Sequence, residues 1–150
     1  MNPYQNIVIL PFQSKYQSEV KNLILAGLAE HWGKLDPGKN PDLDDISSSY
    51  SNGMFLVALQ DNKPIGTGAI VPNSENSAEI VRVSVVASMR RIGIGKMILR
   101  NLCEYAKSNG YKRVILETTE TWHEVIEFYK IFGFQITHHL DGNVYFALDL

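Results

Sequence analysis

The period of the hydrophobic pattern changes several times along the chain. Short apolar or alternating runs predict strands, whereas apolar residues three and four positions apart predict helices. By this criterion, the predicted strands are Ile7–Phe12, Met54–Gln60, Lys63–Val71, Ala78–Val86, Arg113–Glu117, Gln135–Leu140 and Asn143–Leu150. The predicted helices are Ser18–Ala29, a short one at Ile46–Tyr50 after the polar loop Gly33–Asp45, Ile94–Ser108, and a last helix that ends at Gly133.

Turn and cap signals indicate how these elements begin and pair. Asp61-Asn62 and Asp141-Gly142 each separate two predicted strands by two residues, which is typical of β-hairpins. Thr121 and Glu124 have the spacing of a capping box, so they predict the start of the last helix.

The middle of the chain has a different organisation. Residues 114–116 are apolar in a row, as in a strand buried on both faces of a parallel sheet. Strand 78–86, helix 94–108 and the strand that follows therefore predict a right-handed βαβ crossover. We expect an α+β fold: a mixed, mostly antiparallel sheet of about seven strands with this central βαβ crossover and flanking helices, in one domain over 1–150.

Composition excludes several classes of protein. The net charge of -2 argues against a nucleic-acid partner, which needs a strongly basic face. The single cysteine, Cys103, allows no internal disulfide, and the four histidines lack metal-ligand spacing, so no metal is expected. No apolar run is long enough to span a membrane and no targeting signal is seen, so we expect no membrane association and a cytoplasmic location.

The segment with most chemical information runs from Arg90 to Lys96. Here a strand leads into a loop with two glycines, and the loop opens a helix. Backbone N–H groups at a helix N-terminus lack internal partners and, with the helix dipole, attract anions. Gly93 and Gly95 leave space for a ligand, and Arg90, Arg91 and Lys96 add positive charge. The segment predicts a pyrophosphate site.

Two known phosphate-binding loops fit this segment poorly. A P-loop needs Ser or Thr after Gly95-Lys96, but Met97 is present. The glycine loop of a Rossmann site follows its strand directly, unlike the loop here, and its third glycine falls where this chain has Ile98. Glu117 could supply the acid of a Rossmann site, so a small nucleotide-binding domain of that type remains an alternative.

The segment Arg90-Arg91-Ile92-Gly93-Ile94-Gly95 resembles the Gln/Arg-x-x-Gly-x-Gly/Ala signature of the GNAT (GCN5-related N-acetyltransferase) superfamily. Val83-Ser84-Val85 matches the strand that precedes this signature, and Glu127–Phe134 resembles the family's Tyr-x-x-x-Gly-Phe segment. The resemblance covers roughly residues 54–148. It implies the GNAT fold, with residues 1–53 on the acceptor side and 54–150 as the acetyl-CoA-binding core.

The resemblance also implies an activity and a site. The chain would transfer the acetyl group of acetyl-CoA, a co-substrate, to a primary amine by direct attack in a ternary complex. Tyr129 would protonate the leaving thiolate, and Glu117 would be the general base. The implied coenzyme-binding residues are Val83, Ser84 and Val85 along the pantetheine arm, and Arg90, Arg91, Ile92, Gly93, Ile94, Gly95 and Lys96 around the pyrophosphate.

Other site residues are proposed from chemistry alone, and the roles of several residues stay open. Glu79, on the neighbouring strand, is a second candidate base, and the backbone N–H of Val85 is a candidate donor to the oxyanion. Trp122 stands where many family members have an asparagine that touches the cofactor. Tyr129 also fits a core position with a polar tip, and Glu117 a surface carboxylate at a strand end.

The acceptor is predicted only as a class: a small-molecule amine or a protein N-terminus. The aspartates of the polar loop predict either attraction of a cationic acceptor or solvated and helix-capping roles; they are Asp36, Asp42, Asp44 and Asp45. His31, Trp32 and Tyr50 are further acceptor-site candidates. A homodimer is compatible with the sequence, and the alternative function is a non-catalytic acyl-CoA-binding module.

Overall fold

Within residues 6–33 and 38–150, which the computed structural model describes, seven strands form one sheet. The strands are β1 (Ile7–Pro11), β2 (Met54–Gln60), β3 (Lys63–Pro72), β4 (Ser77–Val85), β5 (Arg113–Thr119), β6 (Gln135–Leu140) and β7 (Asn143–Asp149). The helices are α1 (Gln17–Trp32), α2 (Ile46–Ser49), α3 (Ile94–Ser108) and α4 (His123–Phe132). The strand order is β1-β2-β3-β4-β5-β7-β6, with β4 and β5 parallel and the other neighbours antiparallel. The predicted α+β fold is confirmed.

The two predicted hairpin turns are confirmed. Asp61 and Asn62 have φ values of 50° and 67°, and Asp141 and Gly142 have 51° and 83°. Positive φ at both central residues is the requirement of a two-residue turn whose twist matches its strands. Because Asp, Asn and Gly tolerate this conformation, the local sequence alone determines both turns.

The predicted capping box is wrong. Helix α4 begins at His123, with Trp122 at its N-cap and no side-chain capping bond. Thr121 lies in the preceding turn, where its carbonyl accepts a hydrogen bond from the His123 N–H at 3.1 Å. Glu124 instead pairs with Arg91, at 3.1 Å between Oε1 and Nη2. The Glu124 carboxylate, which the local pattern assigned to the helix cap, is therefore in a long-range ion pair instead.

Strands β4 and β5 pair only over a short distance. Their parallel register joins Ser77–Glu79 to Arg113–Ile115. Beyond that point β4 continues beside β3, and β5 continues beside β7. The two strands therefore separate at the centre of the sheet. We call this opening the fork; it consists of residues 80–85 of β4 and 116–119 of β5.

A β-bulge lies in β4 at the start of the fork. Ala69 pairs with Val81 and Thr67 with Ser84, so Gly68 of β3 faces two residues of β4, Arg82 and Val83. Arg82 has a left-handed φ of 57°. An extra residue reverses the alternation of side chains beyond it. The sequence predicted β4 as a strand but did not predict the bulge.

The two faces of the sheet carry separate cores. One face packs against α3 and α4 through residues such as Leu99, Leu102 and Phe146. The other packs against α1 and α2 through residues such as Val20 and Ile46. No helix in the described ranges combines the length and the apolar character needed to cross a bilayer.

Candidate active site

The turn from Arg91 to Lys96, called the α3 turn, exposes backbone donors. Gly93 at the N-cap has a φ of 96°, which suits glycine, and Arg91 has a φ of 65°. The first hydrogen bond into the helix runs from the Met97 N–H to the Gly93 carbonyl at 3.0 Å. Within the described residues, no N–H group from 91 to 96 donates to a protein acceptor. The turn is thus a set of free donors at the positive end of a helix dipole, which favours an anion.

The packing of two helices, as well as space for a ligand, requires a glycine at residue 95. A β-carbon at this position would lie 3.0 Å from Cζ of Phe128. The absent side chain therefore lets α3 and α4 approach each other closely at the α3 turn. The sequence interpretation of Gly95 as space for a phosphate missed this contact, because nothing local to residue 95 signals Phe128.

The basic residues near the turn are not equivalent. The Arg90 guanidinium binds Glu30 of α1 through both Nη atoms, and its Nε donates to the Val85 carbonyl at 2.9 Å. The hydrogen bond from Arg90 lowers the pKa of Glu30. Arg91 pairs with the exposed Glu124. Lys96, with no ion pair among the described residues, lines a groove of about 320 Å³ with Arg100, Phe128, Ile131 and Phe132. Among the three basic residues at positions 90, 91 and 96, Lys96 is thus the one free to meet an anion without breaking an ion pair.

The edge of β4 at the fork also presents free backbone groups. The Val86 N–H donates to the Ile65 carbonyl of β3 at 2.9 Å. Backbone direction alternates along a strand, so the N–H and C=O of Val85 face away from β3, toward the fork. The Val85 carbonyl accepts from Arg90, while its N–H points where β5 no longer pairs. An extended ligand could pair with this edge as an added strand does.

Tyr129 lies on α4, on the side of the sheet that carries α3. It is 7% exposed and packs against Phe134 and Phe146 at ring-centroid distances of 5.9 and 5.6 Å. A phenol is already protonated at neutral pH, and burial raises the pKa of this one further above its usual value. Among the described residues, its hydroxyl has no hydrogen-bond partner. Tyr129 is thus a core residue whose polar tip is left free, and its role as an acid stays a prediction.

Glu79 and Glu117, the two candidate bases, line one cavity on the α1 side of the fork. This acidic cavity has a volume of about 490 Å³ and is lined by Asp42, Ser49, Tyr50, Val71, Glu79, Ile80, Val81, Arg82 and Glu117. Burial raises the pKa of Glu79, and the neighbouring Glu117 carboxylate raises it further. No ion pair among the described residues includes either glutamate. The structure thus brings together two carboxylates that sequence reasoning had offered as alternatives.

One wall of the acidic cavity is a network that the sequence did not predict. Arg82 binds Asp42 through Nε to Oδ2 at 3.0 Å and Nη2 to Oδ1 at 2.7 Å, and Tyr50 donates to Asp42 Oδ2 at 2.6 Å. Burial and the bond to Asp42 raise the pKa of Tyr50 to about 12. Tyr50, an acceptor-site candidate, therefore does line the cavity. No sequence motif marked Arg82, because its partner Asp42 lies 40 residues earlier in the chain.

The loop aspartates divide into different roles. Asp42 does not cap a helix; that role belongs to Asp45, which accepts from the Ser48 N–H at 3.2 Å. Asp44 pairs with Lys21 of α1. Asp36 lies outside the described residues. The loop is thus held by specific bonds rather than being a diffuse acidic patch.

Trp122 and the two residues at the end of α1 form an aromatic cluster. His31 stacks on Trp122 with ring centroids 4.0 Å apart, and Trp32 lies 5.5 Å from the same ring. The cluster joins the end of α1 to the start of α4, the helix that carries Tyr129. In the described part of the chain, Trp122 thus packs on α1 side chains.

Comparisons with known proteins agree with this geometry. A sequence model of the acetyltransferase (GNAT) family matches residues 20–134. N-acetyltransferase family 8 member 2 of Rattus norvegicus is 34% identical over 105 residues, which cover 65% of this chain and 46% of that protein. This chain therefore corresponds to less than half of the rat relative.

Solved structures share the fold. An acetyltransferase of the GNAT family from Staphylococcus aureus Mu50 has a TM-score of 0.86 at 23% identity, over 95% of this chain and 98% of that one. The PaiA N-acetyltransferase from Thermoplasma acidophilum, solved in complex with coenzyme A, has a TM-score of 0.84 at 16% identity, over 96% and 99% of the two chains. At these identities the likeness concerns the fold.

Proposed function

Because the chain belongs to the acetyltransferase (GNAT) family, as its motifs predicted, we propose that it transfers the acetyl group of acetyl-CoA to a primary amine in a ternary complex. The observation that carries this proposal is the fork, with free backbone donors of Val85 and the α3 turn at one end. Carboxylates lie on one side of the fork and a protonated phenol on the other. No covalent enzyme intermediate is needed.

The coenzyme would be held mainly by main-chain groups. The N–H groups from Arg91 to Lys96 suit a diphosphate, and the edge Val83–Val85 suits the amide-bearing pantetheine arm. Lys96 and the adjoining groove offer a cation and an aromatic surface beyond the turn. Arg90 would contribute indirectly, since its bonds to Glu30 and Val85 fix the end of β4. Acetyl-CoA supplies the thioester carbonyl and the thiolate leaving group.

The reaction needs a base and an acid on the two sides of the thioester. Glu117 would take a proton from the acceptor ammonium, directly or through water, and the freed amine would attack the thioester carbonyl. The Val85 N–H would donate to the developing oxyanion. When the C–S bond breaks, the Tyr129 hydroxyl would give its proton to the thiolate, and the second proton that the nitrogen loses as the amide forms would pass through water to restore the phenol. Glu79 remains the second candidate for the base.

The acceptor would occupy the acidic cavity. Arg82 already neutralises Asp42, so Glu79 and Glu117 leave the cavity with an excess of negative charge. A cationic ammonium group is attracted to such a site. The carboxylate of an amino acid, which lies next to its amine, is repelled by the same negative charge. We therefore favour a cationic small-molecule amine or a protein N-terminus over an amino acid.

A thiol-release assay tests this proposal. Acetyl-CoA is mixed with the protein and, in turn, with 1,4-diaminobutane, benzylamine, tetra-alanine or aspartate. We expect release of free CoA that depends on the amine, fastest with a cationic acceptor and slowest with aspartate. Tight acetyl-CoA binding without release in any mixture would favour the non-catalytic acyl-CoA-binding module. A Rossmann-type domain does not fit the described sheet, whose neighbouring strands are antiparallel except for β4 and β5.

A further inference from the structure

Arg82 has an unusual backbone for its residue type and place. Left-handed φ values also occur at other described non-glycine residues, all in turns: Asn6, Asp61, Asn62, Arg91 and Asp141. Arg82, by contrast, lies inside a strand, with a φ of 57°. Arginine has neither the freedom of glycine nor the short polar side chain that lets Asn and Asp adopt this conformation locally. The surrounding structure must therefore hold residue 82 in place.

Both the side chain and the backbone of Arg82 are held. Its guanidinium makes two bonds to Asp42 and a third, at 3.1 Å, to Asn40 Oδ1. The carbonyl of Arg82 accepts a hydrogen bond from the Thr67 hydroxyl at 2.8 Å, and Thr67 is fully buried. The side chain of Arg82 is 19% exposed and that of Asp42 is 30% exposed. Removing Arg82 or Asp42 would leave the other charge partly desolvated and unpaired, which would destabilise the folded protein.

The bulge decides which residues face each side of the fork. Val83 and Val85 pack toward the α3 core, while Ser84 lies beneath α1, where a β-carbon on Gly27 would be 2.8 Å from its Oγ. Without the extra residue, strict alternation would exchange these faces. The same bulge turns the Arg82 side chain into the wall of the acidic cavity, beside Val81.

We propose that Arg82 is a positioning residue that couples the two halves of the site. Through Asp42 and Asn40 it holds the acceptor-side segment 40–50 against the fork. Through its own left-handed backbone it sets the direction of Val83–Val85, the edge along which acetyl-CoA would lie. The second part rests on the proposed function; the first part does not.

Substitutions at residue 82 separate the two couplings. Arg82→Gly removes the guanidinium but allows a left-handed φ without strain, whereas Arg82→Ala removes the guanidinium and makes the bulge unfavourable. Asp42→Asn weakens the same ion pair from the other side. Arg113→Ala is the matched control, because it removes an exposed ion pair, to Asp149, on the paired part of β5 outside the fork.

Two measurements are made on the full chain: hydrogen exchange of segment 40–50 by mass spectrometry, and acetyl-CoA affinity by calorimetry. We expect segment 40–50 to exchange at least about tenfold faster in all three site variants and unchanged in Arg113→Ala. We expect acetyl-CoA affinity to stay within about twofold of wild type in Arg82→Gly and to fall about tenfold in Arg82→Ala, because alanine keeps the strain of the left-handed backbone and lacks the guanidinium bonds that hold it there. Asp42→Asn weakens those bonds and should lower the affinity by less than Arg82→Ala does.

Equal acetyl-CoA affinity in Arg82→Gly and Arg82→Ala would overturn the role of the bulge, and unchanged exchange of segment 40–50 would overturn the link to Asp42. If Arg82→Ala fails to fold while Arg82→Gly folds, the bulge requirement is supported. If both fail, the exchange in Asp42→Asn decides the coupling. A wild-type protein that binds no acetyl-CoA would contradict the proposed function, and the exchange measurement would still test the Arg82–Asp42 link.

Discussion

Gly95 and Phe128 join the α3 turn to the helix that carries Tyr129. A β-carbon on residue 95 would lie 3.0 Å from the Phe128 ring, and Phe128 precedes Tyr129 on α4. The donors proposed for the diphosphate and the acid proposed for the thiolate are therefore held in fixed relation by a contact between two helices. That contact depends on the absence of one side chain.

Gly95→Ala should weaken both stability and catalysis. The added methyl group requires the half-buried Phe128 ring to move by a few tenths of an ångström. Overpacking costs about 1–3 kcal/mol in the free energy of unfolding, against about 1 kcal/mol that alanine gains over glycine in a helix. Urea denaturation measures this cost, and steady-state kinetics measure the loss of kcat. Adding Phe128→Leu to this variant should restore part of the lost stability and part of the lost kcat.

Gly110→Ala is the control for this substitution. Gly110 has a φ of 84° and nothing within 4 Å of its would-be β-carbon, so alanine there should reduce stability without changing kcat. If both alanine variants kept wild-type kcat, the contact would have no role in aligning the site.

Tyr129→Phe should separate chemistry from packing. The hydroxyl has no partner among the described residues, so its removal should leave the thermal midpoint nearly unchanged. Loss of a general acid should lower kcat about 100-fold or more with little change in KM. Tyr105→Phe, on a half-buried tyrosine of α3, provides the matched control. Wild-type kcat in Tyr129→Phe would assign residue 129 to the core alone.

Glu117→Gln should lower kcat more than Glu79→Gln does. We expect about a 100-fold loss for the general base and a smaller loss for its neighbour, since Glu79 would act on the charge of the cavity rather than on the proton. The comparison uses 1,4-diaminobutane as acceptor over a range of pH. A larger loss in Glu79→Gln would transfer the role of base to Glu79.

The raised pKa of Glu79 makes a prediction for stability. Burial, with repulsion from Glu117, disfavours the charged form in the folded state. The folded protein therefore loses stability as pH rises above the unfolded value of about 4.5, and Glu79→Gln should remove that loss. In urea denaturation, the variant should be more stable than wild type at pH 7 and equal to it near pH 4. The exposed Glu120→Gln should show no such pH-dependent gain, and a destabilised Glu79→Gln at pH 7 would contradict the electrostatic account.

Features determined by nearby residues were predictable. The Asp61-Asn62 and Asp141-Gly142 turns need only their own backbone preferences, and α3 follows from its apolar stripe. The parallel pairing of β4 and β5 followed from the apolar run at residues 114–116, and it is confirmed.

Features that depend on distant partners were not predictable. The bulge at Arg82 is held by Asp42, and the pairing of Arg90 with Glu30 spans 60 residues. The capping box failed because α4 has Trp122 rather than Thr121 at its N-cap, which leaves Glu124 to pair with Arg91. A weak signal for the bulge does exist, since the core positions shift from Ala78 and Ile80 to Val83 and Val85, an odd spacing. The apolar Val81 between them hides that shift in the sequence.

The proposed function depends on the main-chain N–H groups of the α3 turn, which would hold the diphosphate of acetyl-CoA. A crystal structure of the protein with saturating acetyl-CoA tests it most directly. We expect diphosphate oxygens within hydrogen-bond distance of N–H groups between Arg91 and Lys96, with the thioester at the fork beside Val85 and Tyr129. Coenzyme bound elsewhere, with this turn contacting no phosphate, would contradict it.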